Sequence, residues 1–380
     1  MNYNNFPNDI KIYINEFVTI NNKESSIFIT SKENYKNKKY LYLGEKYTKK
    51  YCIDIEFREN VNSRNLKIYS AILINQNIKD ISMLANVHTL NLSWCKYISD
   101  ISMLGNLHTL NLSHIDNLKD ISILGNLHTL NLSNCQGIYD VNMLGNLHTL
   151  DLSDCYNISD VSMLGKVHTL YLKRCFNISD VSMLGNVHTL DLSGCLNIRD
   201  VNMLGNLYSL TLVGCQRIID VSNLGKIHTL NLSYTGVTDV SKLGNVHTLI
   251  LSGCQNITDV SMLNNNHTLD LSNCINICDI SKLNCIYSLS LVGCYKIIDV
   301  SNLGNLRILD LSGCHKIKDV NMLGNIHTLY LLNCENITDV SNLGNVNTLN
   351  LTGCRKILDV SMLSNVKMLY ISKFISNRKY

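Results

Sequence analysis

The stretch that decides the fold is DVSMLGNVHTLDLSGCLNI, residues 180 to 198. Aligned on this stretch, the chain repeats one 20-residue unit from Asp80 to its C-terminus, with a single 19-residue copy that ends at Thr238. Each copy holds one segment in which apolar and polar residues alternate, so we predict fifteen short strands. Their central leucines are Leu90, Leu110, Leu130, Leu150, Leu170, Leu190, Leu210, Leu230, Leu249, Leu269, Leu289, Leu309, Leu329, Leu349 and Leu369.

One copy of this unit cannot fold alone. It offers about six apolar side chains, and each contributes roughly 1.5 to 3 kcal/mol when buried. Ordering its backbone costs roughly 1 to 2 kcal/mol per residue. Consecutive copies must therefore stack on one another as parallel strands. The only proline is Pro7, so none removes a backbone N–H donor from the predicted ladder.

The spacing within each copy, L-x-x-L-x-L-x-x-C-x-x-I, resembles the leucine-rich repeat, as in Leu127, Leu130, Leu132, Cys135 and Ile138. The preceding D-I-S-x-L-x-N-L element is similar to internalin-like repeats. The resemblance implies an α/β-type solenoid, a leucine-rich repeat array of about 15 parallel strands. Only about seven residues lead from each turn to the next strand. We therefore expect short turns rather than helices on the convex face, a shallow arc, and a small helical N-terminal module.

Two columns of the repeat have structural interpretations. An aspartate opens the turn of every copy from Asp80 onward, and we predict an N-cap that accepts backbone N–H bonds. The Gly-Asn pair that closes the turn suits a glycine with positive φ. Twelve cysteines recur from Cys95 to Cys354, and we expect buried thiols that hydrogen-bond the adjacent loop. Disulfides and zinc are weaker alternatives, because stacked side chains point the same way and C-x2-C spacing is absent.

Histidines form a third column, immediately before the strands. Tyr208, Tyr287, Arg307, Asn347 and Lys367 replace histidine in this column, which argues against a catalytic or ligand-binding requirement. We expect a half-exposed ladder whose stability falls below about pH 6.5, because stacked imidazoles cannot all be charged cheaply. The histidines are His88, His108, His128, His148, His168, His188, His228, His247, His267 and His327.

Composition narrows the class of protein. A net charge of +3 indicates no particular partner, and no apolar run approaches the ~18 residues that cross a bilayer. The opening residues lack the apolar stretch of a signal peptide, so we expect a cytoplasmic protein. Phosphate loops, nucleophile elbows and H-E-x-x-H are all absent from the sequence. We expect no enzyme activity, no catalytic residue, no metal and no cofactor.

Recognition chemistry is expected where the concave face departs from its regular Thr, Asn, Asp, Ser and Gly columns. Aromatic and arginine side chains supply most of the energy of protein interfaces. We therefore predict that a protein target contacts residues of three groups. They are Trp94 in the first strong copy; Tyr171, Lys173 and Arg174 beside Asp151 and Asp154; and Tyr330 with Tyr370.

Residues 1 to 79 break the period and carry 13 Lys and Arg against 8 Asp and Glu. We assign 1–60 to a helical N-terminal module and 61–79 to a linker and degenerate capping repeat, with Asn75 in the cysteine column. The solenoid is assigned to 80–380. The opening, FPNDIKIYINEFV, predicts one amphipathic helix with a proline in its first turn.

This opening also resembles the first helix of an F-box, through Phe6, Pro7, Asp9, Ile10, Ile14 and Val18. Ser31, Lys32 and Tyr35 stand roughly where that family has C-K-x-W. The resemblance implies that a Skp-type adaptor docks on Phe6, Pro7, Ile10, Ile14 and Phe17. The solenoid would then present a target to a cullin-RING ubiquitin ligase. The uniform copies and the Asn/Lys/Ile-rich start resemble repeat families of giant viruses of amoebae. This resemblance implies that the protein acts in the host cytoplasm.

Two alternatives stay open. The chain could be a leucine-rich repeat binding or structural protein without a ligase connection, whose N-terminal helix caps the open end of the solenoid. Nucleic-acid binding is less favoured, because the basic run is short and a solvated loop explains it equally well. That run comprises Lys36, Lys38, Lys39, Lys46, Lys49 and Lys50, with Tyr40, Tyr42 and Tyr47 between them.

Overall fold

The computed structural model describes residues 27–30, 40–63, 67–118 and 120–372. The chain divides into two compact units between Cys175 and Phe176. Each unit is an array of in-register parallel strands joined by turns. Unit 1 also contains the described part of the N-terminal module.

The N-terminal part of unit 1 combines strands and helices. Its elements are β1 (Ile27–Thr30), β2 (Tyr40–Leu43), α1 (Glu45–Ile53), α2 (Ile55–Ser63) and β3 (Lys67–Ile72). β1 pairs antiparallel with β2, and β2 pairs parallel with β3. The sequence analysis predicted only helices before residue 60. The segments IFIT and YLYL are rich in the β-branched and aromatic residues that favour strands.

Strand β3 extends the repeat array by one rung at its N-terminal end. It pairs parallel with the next strand and aligns Ala71 with Leu90. This register places Asn75 beside Trp94, one position before the cysteine column, so its assignment to that column was wrong. Asn75 has φ 53° and Trp94 has φ 65°, the same left-handed conformation. A 19-residue first copy explains the difference of one position.

Five strands follow in unit 1, and each central leucine pairs with that of the next copy, as Leu90 does with Leu110. Short 3₁₀ helices precede the strands instead of α-helices, as predicted. They are Ser82–Leu84, Ser102–Leu104, Ser122–Asn126, Asn142–Leu144 and Ser162–Leu164. The strands are β4 (Thr89–Asn91), β5 (Thr109–Asn111), β6 (Thr129–Asn131), β7 (Thr149–Asp151) and β8 (Thr169–Tyr171).

Unit 2 repeats the arrangement with ten strands, again in register, as Leu210 with Leu230. The strands are β9 (Thr189–Asp191), β10 (Ser209–Thr211), β11 (Thr229–Asn231), β12 (Thr248–Ile250), β13 (Thr268–Asp270), β14 (Ser288–Ser290), β15 (Ile308–Asp310), β16 (Thr328–Tyr330), β17 (Thr348–Asn350) and β18 (Met368–Tyr370). Its 3₁₀ helices are Ser182–Leu184, Asn202–Leu204, Ser222–Leu224, Ser301–Leu303, Asn321–Leu323, Ser341–Leu343 and Ser361–Leu363.

The aspartates of the repeat stabilise the turns by accepting backbone N–H bonds, as predicted. They stand one position before the N-cap, not at the N-cap itself. Asp80 accepts the backbone N–H of Ser82 at 2.9 Å, while Ile81 holds the N-cap position of the 3₁₀ helix. The bond from Ser82 keeps the pKa of the Asp80 carboxyl below its ordinary value. The glycine that closes the turn was expected to have positive φ, yet Gly105 has φ −67°. It is required by close packing instead, because a Cβ there would lie 2.7 Å from the carbonyl oxygen of Ile123.

The predicted thiol ladder is confirmed. The Cys155 thiol donates to the carbonyl oxygen of Leu132 in the preceding copy at 3.1 Å, and the Cys95 thiol donates likewise to Leu73 beyond β3. Where threonine replaces cysteine, the Thr235 hydroxyl donates to the carbonyl of Leu232 at 2.6 Å. None of the fifteen cysteines is in a disulfide, and all except Cys278 and Cys285 are buried.

We predict that only Cys278 and Cys285 react with a thiol reagent in the native protein at pH 8. Burial raises the pKa of Cys155 to about 12 and that of Cys215 to about 11, so these thiols stay protonated and shielded. Titration with a chromogenic disulfide should therefore show two fast thiols, and the other thirteen should react only in denaturant. More than two fast thiols, in a sample whose melting curve is cooperative, would contradict the ladder.

We predict that Asn266→Val stabilises unit 2. Asn266 is 1% exposed in a column otherwise held by apolar residues such as Val246. Its Nδ2 donates to two carbonyls, but its Oδ1 has no hydrogen-bond partner among the described residues. An unpaired buried acceptor costs about 1 to 3 kcal/mol, so the urea midpoint should rise. The reverse change, Val187→Asn, should lower it, and a lower midpoint for Asn266→Val would refute the argument.

Candidate functional site

The strand face is largely occupied by side chains that hold the turns. The residue after each central leucine is usually Asn or Asp, and its Oδ1 accepts a backbone N–H two residues on. Asn91 does so with Ser93 at 3.0 Å, and Asp151 does so with Ser153 at 2.9 Å. Asp151, predicted as a target contact, therefore also has a structural role. This use of the short side chain is an Asx-turn.

Tyrosines stand on this face where the Asx-turn is absent. A tyrosine side chain cannot form this turn, so the Asx-turn does not explain the presence of Tyr171, Tyr330 and Tyr370 in the column. Tyr171 is 36% exposed and pairs in register with Asp151 in unit 1. In unit 2, Tyr330 and Tyr370 lie on either side of Asn350, and Tyr370 is 51% exposed. The structure thus places the predicted tyrosines on accessible strand positions.

A second surface lies three residues beyond each strand, at the position before the cysteine. In unit 1 we call Trp94, His114, Asn134, Asp154 and Arg174 the edge column. All five have positive φ, between 54° and 65°. This conformation is disfavoured for residues with a Cβ. In unit 2 the same position is glycine in six copies: Gly194, Gly214, Gly253, Gly293, Gly313 and Gly353. The other three copies whose residue at this position is described hold Tyr234, Asn273 and Asn333.

The side chains of the edge column are linked to one another. The rings of Trp94 and His114 stack at 3.8 Å, and the Asn134 amide nitrogen lies 2.7 Å from His114 Nδ1. Gln136 Nε2 then bridges Asn134 Oδ1 at 2.8 Å and the carbonyl of Asp154 at 2.7 Å. Sequence reasoning selected Trp94 and Asp154 separately but missed His114 and Asn134. These residues share one left-handed backbone position, and in the sequence only the glycines at the same position of later copies indicate it.

Asp154 and Arg174 form the other end of the edge column. The guanidinium donates from Nε and Nη2 to the two carboxylate oxygens, each at 2.6 Å. Arg174 keeps 58% of its side chain exposed, and Asp154 keeps 17%. The bonds from Arg174 lower the pKa of the Asp154 carboxyl. Lys173, the preceding residue, is exposed. Of the predicted group around Tyr171, the structure thus joins Arg174 and Asp154 directly.

The histidine column forms continuous ring stacks. In unit 1, Tyr69 heads the stack, and the centroids of successive rings lie 4.4 to 4.5 Å apart through His88, His108, His128, His148 and His168. In unit 2 the stack runs from His188 through Tyr208, His228, His247 and His267 to Tyr287 at 4.5 to 4.8 Å. Tyr69 was missed because it precedes the regular repeat.

Burial and the neighbouring rings of His108 and His148 lower the pKa of His128. His128 Nδ1 lies 3.1 Å from the Thr129 hydroxyl, which fixes the ring orientation. Successive rings are parallel, so their remaining nitrogens do not converge on one point. Across the described residues, no group of three or more His, Cys, Asp or Glu is placed to hold a metal ion.

The residues that the F-box resemblance assigns to adaptor binding lie outside the described residues. They are Phe6, Pro7, Ile10, Ile14 and Phe17, and the same holds for Ser31, Lys32 and Tyr35. In the part of the chain that is described, every helix is too short or too polar to span a membrane.

The arrangement of strands, turns and thiols defines a leucine-rich-repeat fold, and solved structures agree. The functional domain of InlJ from Listeria monocytogenes, which includes a cysteine ladder, is 22% identical with a TM-score of 0.51. The match covers 78% of this chain and 70% of that one. A leucine-rich-repeat protein of Leptospira interrogans is 18% identical with a TM-score of 0.50, covering 84% and 95%. No protein-family model and no curated protein matches the chain.

We predict that the histidine stack of unit 1 makes stability depend on pH. Because folded His128 holds a proton less tightly than the unfolded chain, the stack is most stable above the unfolded pKa of about 6.5. Stability then falls as pH drops through that value. The melting temperature should be lower at pH 5.5 than at pH 7.5. His128→Tyr, which copies Tyr208, should narrow the difference, and an unchanged difference would count against the stack.

Proposed function

We propose that this chain is a protein-binding scaffold. The observation that carries the proposal is the exposure of Tyr171 and Tyr370 on strand positions where neighbouring copies use a turn-forming Asn or Asp. Aromatic and arginine side chains dominate the energy of protein interfaces, especially when rigid elements hold them. The in-register strands supply that rigidity. The leucine-rich-repeat fold is compatible with this use but does not specify it.

We further propose that the scaffold is a substrate receptor of a cullin-RING ubiquitin ligase. This finer proposal rests on the F-box resemblance, and the residues that carry it, from Phe6 to Val18 and from Ser31 to Tyr35, lie outside the described residues. A Skp-type adaptor would dock on Ile10 and Ile14, and the target would contact the solenoid. A uniform fifteen-copy array preceded by an N-terminal segment outside the repeat fits this division of roles. The alternative is a binding scaffold with no ligase connection.

The site of action proposed with this function is the cytoplasm. The thiol ladder uses its cysteines as hydrogen-bond donors, and Cys278 and Cys285 are exposed as free thiols. Thiols of this kind persist in a reducing compartment. We propose no enzymatic activity and no cofactor.

One affinity-capture experiment tests both levels of the proposal. Full-length protein should retain specific partners from host-type cytosol, and Tyr171→Asn with Tyr370→Asn should lose target proteins. Asparagine is the usual residue of that column, so the fold should be kept. Asn131→Asp, which exchanges two residues common there, is the matched control and should capture all partners.

The same affinity capture also tests whether a Skp-type adaptor binds the N-terminal helix. Ile10→Asp with Ile14→Asp should remove a Skp-type adaptor and cullin while leaving targets bound. Targets without any adaptor would leave the scaffold function and refute the ligase role. Capture of the same proteins by the double tyrosine variant would refute the strand-face interface.

A further inference from the structure

The turns of the array expose a column of methionines. The middle residue of the S-x-L or N-x-L turn is methionine in nine copies, which hold nine of the eleven methionines of the chain. Met143 is 61% exposed, whereas Leu144 beside it is fully buried. Asn223 and Lys242 occupy the same position in unit 2, so the fold does not require an apolar side chain there. The nine are Met83, Met103, Met143, Met163, Met183, Met203, Met262, Met322 and Met362.

In unit 1 this column forms a row without a polar interruption, which we call the turn stripe: Met103, Ile123, Met143 and Met163. Ile123 and Met163 are 44% and 58% exposed, and Tyr139, one residue before the turn aspartate of the Met143 copy, is 67% exposed. Single exposed apolar side chains are normal, but a contiguous group of them marks an interaction site. Methionine suits such a site because its flexible thioether adapts to the shape of a partner.

Carboxylates border the turn stripe. Asp120, Asp140 and Met143 line one cleft of about 190 Å³ between two consecutive turns. The bonds that Asp120 accepts from Ser122 lower the pKa of its carboxyl, so its charge is retained at neutral pH. Among the described residues, no cation forms an ion pair with Asp100, Asp120 or Asp140.

The charge of the whole segment is negative. From Ser99 to Lys166, the first and last residues of the four turns, the sequence holds seven aspartates and two lysines. With neutral histidines this segment has a net charge of −5, whereas the whole chain has +3. Phosphates of nucleic acids and anionic lipids would be repelled by such a surface. A partner that combines positive charge with apolar side chains fits it.

The spacing of the turns favours a helical partner over an extended one. Met103 and Met163 are three copies apart, which is roughly 14 Å at about 4.8 Å between parallel strands. Three turns of an α-helix cover about 16 Å. An extended chain places four side chains of one face over about 20 Å, because alternate residues are about 6.6 Å apart. A helix therefore keeps one apolar side chain close to each copy of the turn stripe.

We propose that the turn stripe binds a basic amphipathic helix of a partner protein. Apolar side chains at positions i, i+4, i+7 and i+11 of that helix pack on the four residues of the turn stripe. Lysines or arginines beside them face the carboxylates of Asp120 and Asp140. This inference rests on the proposed scaffold function and assigns it a second surface, on the turns rather than on the strand face.

Fluorescence anisotropy of full-length protein with labelled fifteen-residue peptides tests the proposal. The probe has four leucines at helical spacing, lysines beside them, and alanine elsewhere. The comparison peptides have glutamate for each lysine, serine for each leucine, or two prolines at the centre, which prevent the helix. We expect the probe to bind at least tenfold more tightly than each comparison peptide.

Two double variants separate the apolar and the charged contributions. Met143→Asn with Met163→Asn should weaken probe binding at least tenfold and keep the wild-type melting temperature, because Asn223 shows that the turn accepts asparagine. Asp120→Asn with Asp140→Asn should also weaken binding at least tenfold. The amide oxygen can still accept the N–H that closes the turn, but the charge is removed.

Met262→Asn is the matched control in unit 2. Met262 is 60% exposed, but Lys242 and Lys282 hold the same position in the copies on either side, so binding should not change. Equal binding of the glutamate or the proline peptide would overturn the proposal, as would wild-type affinity in the double methionine variant. Self-association in sedimentation that this variant abolishes would assign the turn stripe to a second copy and overturn it as well. Capture of every cytosolic partner by this variant would overturn the inference while leaving the scaffold function intact.

Discussion

In-register parallel pairing makes every side chain of the array a neighbour of its own counterpart in the next copy. Leu90 pairs with Leu110 in unit 1, and Leu210 pairs with Leu230 in unit 2. A residue type is therefore acceptable in a column only if it tolerates copies of itself about 4.8 Å away. Leucines meet this condition by packing against one another. Cysteine thiols meet it by donating hydrogen bonds to a carbonyl of the preceding copy, and histidine rings meet it by stacking. A column of unpaired like charges would not satisfy it, because repulsion would add at every rung.

The same constraint explains why most polar residues of the array face their own backbone. Asp80 and Asn91 each accept an N–H two residues further along the chain. These bonds are local, so their number does not depend on the neighbouring copy. Stacking identical carboxylates is tolerable because each is held by such a bond and remains in contact with water. The polar surface of the repeat is therefore mainly a means of closing turns, and little of it is available for specific recognition.

The period and the leucine spacing were sufficient to predict the strands, their register and the thiol ladder, because each depends on interactions that recur in every copy. The errors arose where the copies are irregular. Asn75 was assigned to the cysteine column, one position too far along the repeat, because it precedes its counterpart Trp94 by 19 residues and not by 20. β1 and β2 were missed because nothing before residue 66 repeats. Gly105 was interpreted through its φ angle, whereas the close approach of Ile123 is a contact between copies that no single copy reveals.

The edge column shows how such a repeat can acquire a specific surface without losing its fold. Its left-handed position must be occupied in every copy, and glycine meets the backbone requirement at the least steric cost. Trp94, His114 and Arg174 meet it with some strain, which the stacking of Trp94 on His114 and the Arg174–Asp154 bonds partly offset. Because the strain is local and each copy contacts only its neighbours, it does not propagate along the array. A solenoid can therefore vary this one position from copy to copy, as the six glycines of unit 2 and the large polar or aromatic side chains of unit 1 illustrate.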